Sequence, residues 1–252
     1  MLTLVGLGLW DETDISLKGI EEVKRADVVY AELYTGLWNG SVERLEELSG
    51  KDVVILKRRD VEERSGRIID EARSKRVCFL IQGDPLAATT HPDLLTQSAK
   101  AGVETRVIHA SSIFTAVAEC GLQIYKFGKT VTIPLPEKTG GVLPESVYGA
   151  IKGNLSLGLH TLLLLDIDVE NNKNLLAEEA LQILEKLDTE NLLRGRKIVV
   201  MSLLGSGKSR IVYGKIEELL KDGYGLPAVL IIPGNLHFAE EEFLELFKYV
   251  RA

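Results

Sequence analysis

Cysteine is scarce in this chain of 252 residues: only Cys78 and Cys120 occur, without CxxC spacing. That pattern excludes a disulfide scaffold and a thiolate metal site and leaves two reduced, packed thiols. Histidine is scarce too. His91, His109, His160 and His237 form no i, i+4 pair and share no metal-site spacing with cysteines or carboxylates, so no metal is expected. Long apolar runs are missing. Stretches such as 161–165 and 228–232 fall far short of the roughly 20 residues that span a bilayer, so no membrane partner is expected. The first residues lack the basic start, apolar stretch and small-residue cleavage site of a signal peptide, which gives a cytoplasmic expectation. A basic excess is also absent. The formal net charge of -7 argues against broad neutralisation of phosphates, and no direct nucleic-acid binding is expected. The strongest basic cluster, Lys57-Arg58-Arg59, runs into Asp60, Glu62 and Glu63 and reads as a solvated strand end without a function.

Three motifs fail at a specific residue. Gly6-Leu7-Gly8 follows a strand as a dinucleotide turn would, but Asp11 stands where the third glycine is required, so a ligand-binding turn and a simple tight turn both remain open. The run Ser202 to Ser209 contains Gly205, Gly207 and Lys208, yet Ser202 occupies the first-glycine position of a phosphate-binding P-loop, and the motif is rejected in favour of a glycine turn. No GxSxG elbow occurs, and Ser111-Ser112 reads as a helix N-cap, so no covalent nucleophile is assigned and the catalytic residue stays unknown.

What is present is an ordinary globular balance of 45% hydrophobic and 27% charged residues, enough for a sizeable core. The length accommodates one large domain or two moderate ones, and the pattern favours two. Strands are expected at 2–8, 27–31, 52–56, 76–81 and 103–109, with amphipathic helices between them. Ser16 is placed to cap a helix carrying Leu17, Ile20 and Val23, and a stripe of Leu94, Leu95 and Ala99 stops at Gly102. The alternation implies βαβ units and a largely parallel sheet. From about Lys126 the texture changes, with Pro134, Pro136 and Gly140-Gly141 before a new set of elements. A second α/β domain is expected, with helices near 145–152, 175–187 and 238–249 and strands at 160–167, 197–203 and 228–232.

In open α/β sheets ligands sit beyond the carboxyl ends of strands. Those ends carry Gly6 to Leu9, Gly83 to Ala87, Ala110 to Ile113, Leu164 to Asp166 and Leu203 to Gly205. The residues themselves therefore point to a small, partly apolar ligand held largely by backbone groups. For His109 and His160 a satisfied strand-end side chain is the reading, whereas His91 opens a helix and His237 follows Pro233-Gly-Asn-Leu, positions from which either can face a ligand.

The strings VGLGLWDETDISLKG, DVVYAELYTG, QGDPLAATTHPDL, HASSIFTAVAECGLQIYKFGKTVTIP, GLHTLLLLDIDVE and VLIIPGNLHFAEEE together cover almost the whole chain. In these it resembles the diphthine synthase family of the tetrapyrrole methylase superfamily. GxG and GDP are shared across the superfamily, whereas GDPLAATTH with GLQIYKFG and GLHTLLLLDI is specific to the diphthine enzymes. The resemblance implies a tetrapyrrole methylase-like fold of two α/β domains, 1–112 and 113–252, with an active-site cleft between them, and a homodimer. It implies S-adenosyl-L-methionine as cofactor and translation elongation factor 2 as protein substrate, whose modified histidine is methylated repeatedly at its amino group to give diphthine. Carried onto matching positions, the cofactor contacts are Leu9, Asp84, Ala87, Ser112, Ile113, Leu164, Leu204 and Val229. Two departures stand out: HASSIF replaces the commoner NASIMNA and bears on the contact at Ser112, and LLDIDVENN is less basic than LLDIKVKE, which bears on substrate docking. The alternatives are a superfamily relative acting on a tetrapyrrole, and a non-catalytic nucleotide-binding module suggested by GSGKS and the GxG turn.

Overall fold

Short β-rich runs separated by amphipathic stretches can bury their apolar faces only by forming a sheet covered by helices. The computed structural model describes residues 1–169 and 171–250, which form two compact units, Met1–Phe114 and Thr115–Ala252. In the first unit the order is β1 (Leu2–Gly6), α1 (Leu17–Arg25), β2 (Val28–Glu32), α2 (Val42–Ser49), β3 (Val53–Leu56), α3 (Arg58–Glu62), α4 (Gly66–Ala72), β4 (Val77–Ile81), α5 (His91–Lys100) and β5 (Thr105–Ile108). α6 (Ile113–Ala116) follows and carries the chain into the second unit.

The five strands pair in the order β3-β2-β4-β1-β5, and every pairing is parallel. All their carboxyl ends therefore lie along one edge. Period-two alternation sends Leu2, Leu4, Tyr30, Val77, Phe79 and Ile81 to one face against Ile68, Ile69 and Leu94 from α4 and α5. Val5, Val29, Ala31, Cys78 and Leu80 go to the other, against Val23 of α1 and Leu45 of α2. Each fully buried aliphatic side chain contributes about 1.5–3 kcal/mol. Ser16 caps α1 as the sequence predicts, its hydroxyl accepting from Gly19 N at 3.0 Å.

The second unit runs β6 (Val131–Ile133), α7 (Glu145–Ser156), β7 (Thr161–Leu165), β8 (Ile167–Asp168), β9 (Lys173–Asn174), α8 (Ala177–Leu187), β10 (Lys197–Ser202), β11 (Arg210–Lys215), α9 (Ile216–Leu219), β12 (Ala228–Ile232) and α10 (Phe238–Leu244). Its main sheet is β11-β10-β12-β7-β6, parallel only between β6 and β7. Leu163, Leu165, Val200 and Leu230 pack against Ile151, Leu181, Leu184 and Leu219 from α7, α8 and α9. Leu164, Met201 and Val229 belong to the opposite face by strand alternation.

Several expected boundaries differ for local reasons. The strand expected at 160–167 is interrupted at Asp166, whose carboxylate accepts from Leu135 N at 3.0 Å and takes Lys138 Nζ at 2.9 Å. The closing helix expected to reach residue 249 ends at Leu244 and passes through a 3-10 turn, because Tyr249 N pairs with Tyr213 O at 2.8 Å. Lys57-Arg58-Arg59 is exposed and directly follows β3, and it also leads into α3: Asp60 Oδ2 accepts from Lys57 N at 3.1 Å, and the Arg58 guanidinium lies 4.9 Å from the Tyr34 ring centroid. β11 escaped the sequence reading, which took the glycines at 205 and 207 for a turn with no partner strand after it. Cys78 and Cys120 are free and buried, and burial pushes their thiols up to about 12 and about 11.

Candidate active site

The carboxyl end of β1 turns at Gly6-Leu7-Gly8, and three loops meet there. Leu7 N donates to Ile81 O at 2.8 Å, while Gly8 and Gly83 exchange backbone bonds at 2.9 and 3.3 Å. A Cβ built on Gly6 would lie 2.6 Å from both Gly83 O and Ala110 Cβ, so only glycine lets the ends of β1, β4 and β5 approach this closely. Gly8 has φ +83 and its Cβ would fall 2.3 Å from Asp14 Cβ. Asp11, in place of the missing third glycine, accepts from Thr13 N at 2.9 Å and closes a 3-10 turn over 12–14. The chain thus leaves the GxG turn through a carboxylate-capped turn, not into the N-terminus of a dinucleotide helix.

Asp84 fastens this junction. Its Oδ1 accepts from Leu86 N at 3.0 Å, and its Oδ2 receives Ala110 N at 3.3 Å and faces His109 Nδ1 at 2.8 Å. The carboxylate is 15% exposed, whereas His109 is 68% exposed and adds little by itself. Ala87 N closes a turn onto Asp84 O at 3.1 Å, and the next residue, Ala88, is held at φ +53, a left-handed conformation that non-glycine residues seldom adopt. Leu9 follows the GxG turn, and Ser112 is buried directly ahead of Ile113, the first residue of α6. The structure therefore gathers Leu9, Asp84 and Ala87 on two loops joined by Gly8 and Gly83, with the loop leading to Ser112 and Ile113 tied to them through Ala110.

A further loop of the first unit, unsuspected from sequence, lies against the same turns. Asn39 N donates to Trp10 O at 2.9 Å, and Gly36 packs on the Gln82 carboxamide so closely that a Cβ would sit 2.6 Å from its Oε1. Gln82 Oε1 and Trp38 Nε1 are buried without hydrogen-bond partners among the described residues. Glu32, at the end of β2, is fully buried; desolvation raises its pKa against the opposing bonds from Thr35 Oγ1 and Tyr34 N.

In the second unit Leu164 and Val229 are direct register partners on β7 and β12, and Val229 is also opposite Met201 of β10. Leu204 follows β10, in a turn where Leu203 N donates to Pro227 O at 2.9 Å and Ser206 N to Leu203 O at 3.0 Å. These three candidate residues therefore share one end of the mixed sheet. Ser202 Oγ, at that same end, is buried and has no hydrogen-bond partner among the described residues. The glycines at 205 and 207 lie in the hairpin between antiparallel β10 and β11, and the absence of a following helix removes the anion-binding N-terminus that a P-loop uses.

The unit also contains a charged hub that sequence reasoning missed. Glu240, 1% exposed, receives Gln123 N at 2.9 Å, His160 Nε2 at 3.1 Å, His237 N at 2.8 Å and the Lys126 ammonium. Burial alone would push this carboxyl up; the His237 amide, Lys126, the Gln123 amide and His160 together outweigh it and hold it at about 2. His160, whose pKa burial lowers, accepts from Gly234 N on Nδ1 at 2.9 Å and so carries its proton on Nε2, toward Glu240. Helical spacing inside 238–249 gave no sign of this carboxylate's partners, which come from positions 114 and 80 residues earlier in the chain. His237 caps α10, its Nδ1 accepting from Ala239 N at 3.3 Å. Of the less basic string LLDIDVENN, Glu170 lies outside the described residues. Among the described residues no group of three or more His, Cys, Asp or Glu is placed to hold a metal ion, and no helix is long and apolar enough to cross a membrane.

Residues 1–220 match the family model described as Tetrapyrrole (Corrin/Porphyrin) Methylases. Diphthine synthase of Methanococcus aeolicus is 44% identical over 251 residues, covering 97% of each chain. That of Methanocaldococcus jannaschii is 44% identical over 253 residues, covering 97% of this chain and 98% of the relative. A crystal structure of diphthine synthase superposes with a TM-score of 0.89 at 40% identity, covering 98% of this chain and 95% of the other. The Glu240 hub connects GLQIYKFG, GLHTLLLLDI and PGNLHFAEEE, three stretches of the resemblance, into one hydrogen-bonded unit. The chain belongs to the tetrapyrrole methylase family and, within it, to the diphthine synthases.

Proposed function

We propose that the protein is an S-adenosyl-L-methionine-dependent N-methyltransferase that trimethylates the amino group of the modified histidine on translation elongation factor 2, forming diphthine. The observation that carries the reading is the junction of β1, β4 and β5, where a family member presents closely packed backbone and the anchored Asp84 at the carboxyl ends of a parallel sheet. The unmet hydrogen-bonding capacity of Gln82 and Trp38 fits a cofactor rich in polar groups. The residues assigned to hold it are Leu9, Asp84, Ala87, Ser112, Ile113, Leu164, Leu204 and Val229. When bound, it supplies a methyl carbon activated by a sulfonium.

The chain's own task is positioning. An amine attacks in line only when unprotonated and held near contact distance, so orientation and exclusion of water account for much of the rate. Asp84 is spent on backbone amides and serves to fix the loops, not to accept a proton. The net charge of -7 supports a protein substrate over direct nucleic-acid contact. We place the enzyme in the cytoplasm beside the elongation factor. Exposed Tyr125, Phe238 and Leu246, close to the Glu240 hub in sequence or contact, supply apolar surface of the kind homodimers bury, which supports a dimer.

Two assays test the reading. Calorimetric titration should show saturable binding of S-adenosyl-L-methionine and none of ATP or NAD. Radiolabelled methyl transfer should reach the unmethylated elongation factor and not a porphyrinogen. Nucleotide binding without S-adenosyl-L-methionine binding, or transfer to the porphyrinogen alone, overturns it.

A further inference from the structure

Segment 33–41 joins β2 to α2 as a strap, and a buried carboxylate ties down each of its ends. At the near end Glu32, fully buried, accepts from Tyr34 N at 3.3 Å and from Thr35 Oγ1 at 2.7 Å. At the far end Glu12, 3% exposed, accepts from Ser41 N at 3.0 Å and pairs with Arg44 at 3.0 Å. Between these anchors Asn39 N donates to Trp10 O, and Gly36 packs on the Gln82 carboxamide. The middle of the strap therefore touches the residues that flank the GxG turn and Gly83-Asp84.

Trp38 stands in this middle stretch, with its indole so close to Gly40 that a Cβ there would come within 2.2 Å of the ring. Its Nε1–H is buried without a partner among the described residues, and an indole nitrogen is a donor only, with no tautomer to exchange. Gln82 Oε1, against Gly36, is buried and unmet as well. Leaving buried polar atoms unmet costs stability, so this arrangement of the strap favours a ligand that meets both. Neither atom is open to solvent, and a ligand reaches them only when the stretch between the anchors shifts. Gly36 and Gly40 lend that stretch the backbone freedom to do so.

We propose that the strap closes on the amino-acid end of the cofactor, with Trp38 Nε1–H donating to its carboxylate and Gln82 accepting from its ammonium. The proposal rests on the methyltransferase reading. A zwitterionic amino acid carries an acceptor and a donor on one carbon, which matches one unmet donor and one unmet acceptor. The purine suits the candidates of the second unit instead, because Leu164, Leu204 and Val229 offer apolar side chains. Glu32 and Glu12 act as positioning residues that fix the two ends of the strap.

The test is ¹H–¹⁵N spectroscopy of the indole groups of the full chain, whose two tryptophans are Trp10 and Trp38, with calorimetry on the same samples. Either Trp10→Phe or Trp38→Phe assigns both signals. S-adenosyl-L-methionine should move the Trp38 signal downfield as its N–H gains an acceptor, with saturation at the calorimetric affinity. The decarboxylated cofactor, which keeps the sulfonium, the amine and the adenosine, should bind about tenfold more weakly and leave that signal unmoved. Gln82→Met should weaken cofactor binding about tenfold while the ligand-free melting midpoint holds or rises, because it deletes a polar group that is unmet there. No movement of the Trp38 signal at calorimetric saturation, an equal shift with the decarboxylated cofactor, or unaltered affinity in Gln82→Met overturns the proposal and leaves the methyltransferase reading standing. Absence of calorimetric binding overturns both. Should Gln82→Met fail to fold, the two ligands on the parent chain decide the matter.

Discussion

The two sheets arrange their strand ends differently. In the first unit five parallel strands bring every carboxyl end to one edge, and the candidate residues sit on loops that glycines allow to pack against one another. In the second, β12 runs against β7 and β10, so one end combines the exits of β7 and β10 with the entry of β12. Strand exits mark the whole of one edge in a parallel sheet and only part of it in a mixed one. Leu164 and Leu204 stand at or after strand exits, but Val229 stands near a strand entry, and only family resemblance pointed to it. The units differ in cohesion too: backbone bonds and close packing hold the junction of β1, β4 and β5, whereas a buried charged hub holds the loops around Glu240.

The largest effect that sharpens this contrast is expected at the hub. Glu240→Ala leaves Lys126, His160 and two backbone amides without their acceptor and should cost about 3–5 kcal/mol in urea unfolding of the full chain. A loss comparable to a surface substitution would show that the hub is not what ties those loops together. Acid should separate the regions next. His91 has a folded pKa of about 4, below the ordinary 6.5, so its contribution is complete above pH 6.5 and is lost as pH falls through 4. Glu240 is held at about 2, below the ordinary 4.5, so its contribution is present above pH 4.5 and disappears only as pH falls through 2. His91→Gln should therefore flatten the stability profile between pH 6.5 and 4, worth about 3 kcal/mol, while Glu240→Gln should leave that His91 step in place and flatten the profile below pH 4.5. Unfolding curves across this range decide it, and an unchanged profile in His91→Gln would contradict the assignment.

Gly6→Ala comes third, at about 1–3 kcal/mol of overpacking, together with loss of S-adenosyl-L-methionine binding, because the added methyl forces the β1, β4 and β5 loops apart. Stability lost with affinity retained would separate the glycine junction from the cofactor. Smallest in stability is Asp84→Ala. It removes two backbone bonds and an exposed histidine contact, about 1 kcal/mol, yet should weaken cofactor binding about tenfold. Thermal melts without cofactor and calorimetry with it make the comparison, and equal affinity with a lower melting temperature would reduce Asp84 to a turn residue.

The α/β class, the parallel first sheet and the Ser16 cap were legible because each rests on local periodicity or on a single side chain near its own backbone. β11 was not, since the glycine-rich turn before it obscured a hairpin whose partner pattern is only six residues long. Glu32, Gln82 and Glu240 were invisible for another reason: their chemistry comes from burial and, for Glu240, also from partners distant in sequence. His91 was singled out as able to face a ligand, and its position in GDPLAATTH was readable, whereas the contact of its Nδ1 with the hydroxyl of Thr89 became apparent only in three dimensions.

The most direct test of the central claim is the mass of the elongation-factor peptide bearing the modified histidine, after incubation of the full chain with S-adenosyl-L-methionine and the unmethylated factor. Successive methyl increments confined to that peptide are predicted. No increment on a substrate that another diphthine synthase methylates would contradict the assignment.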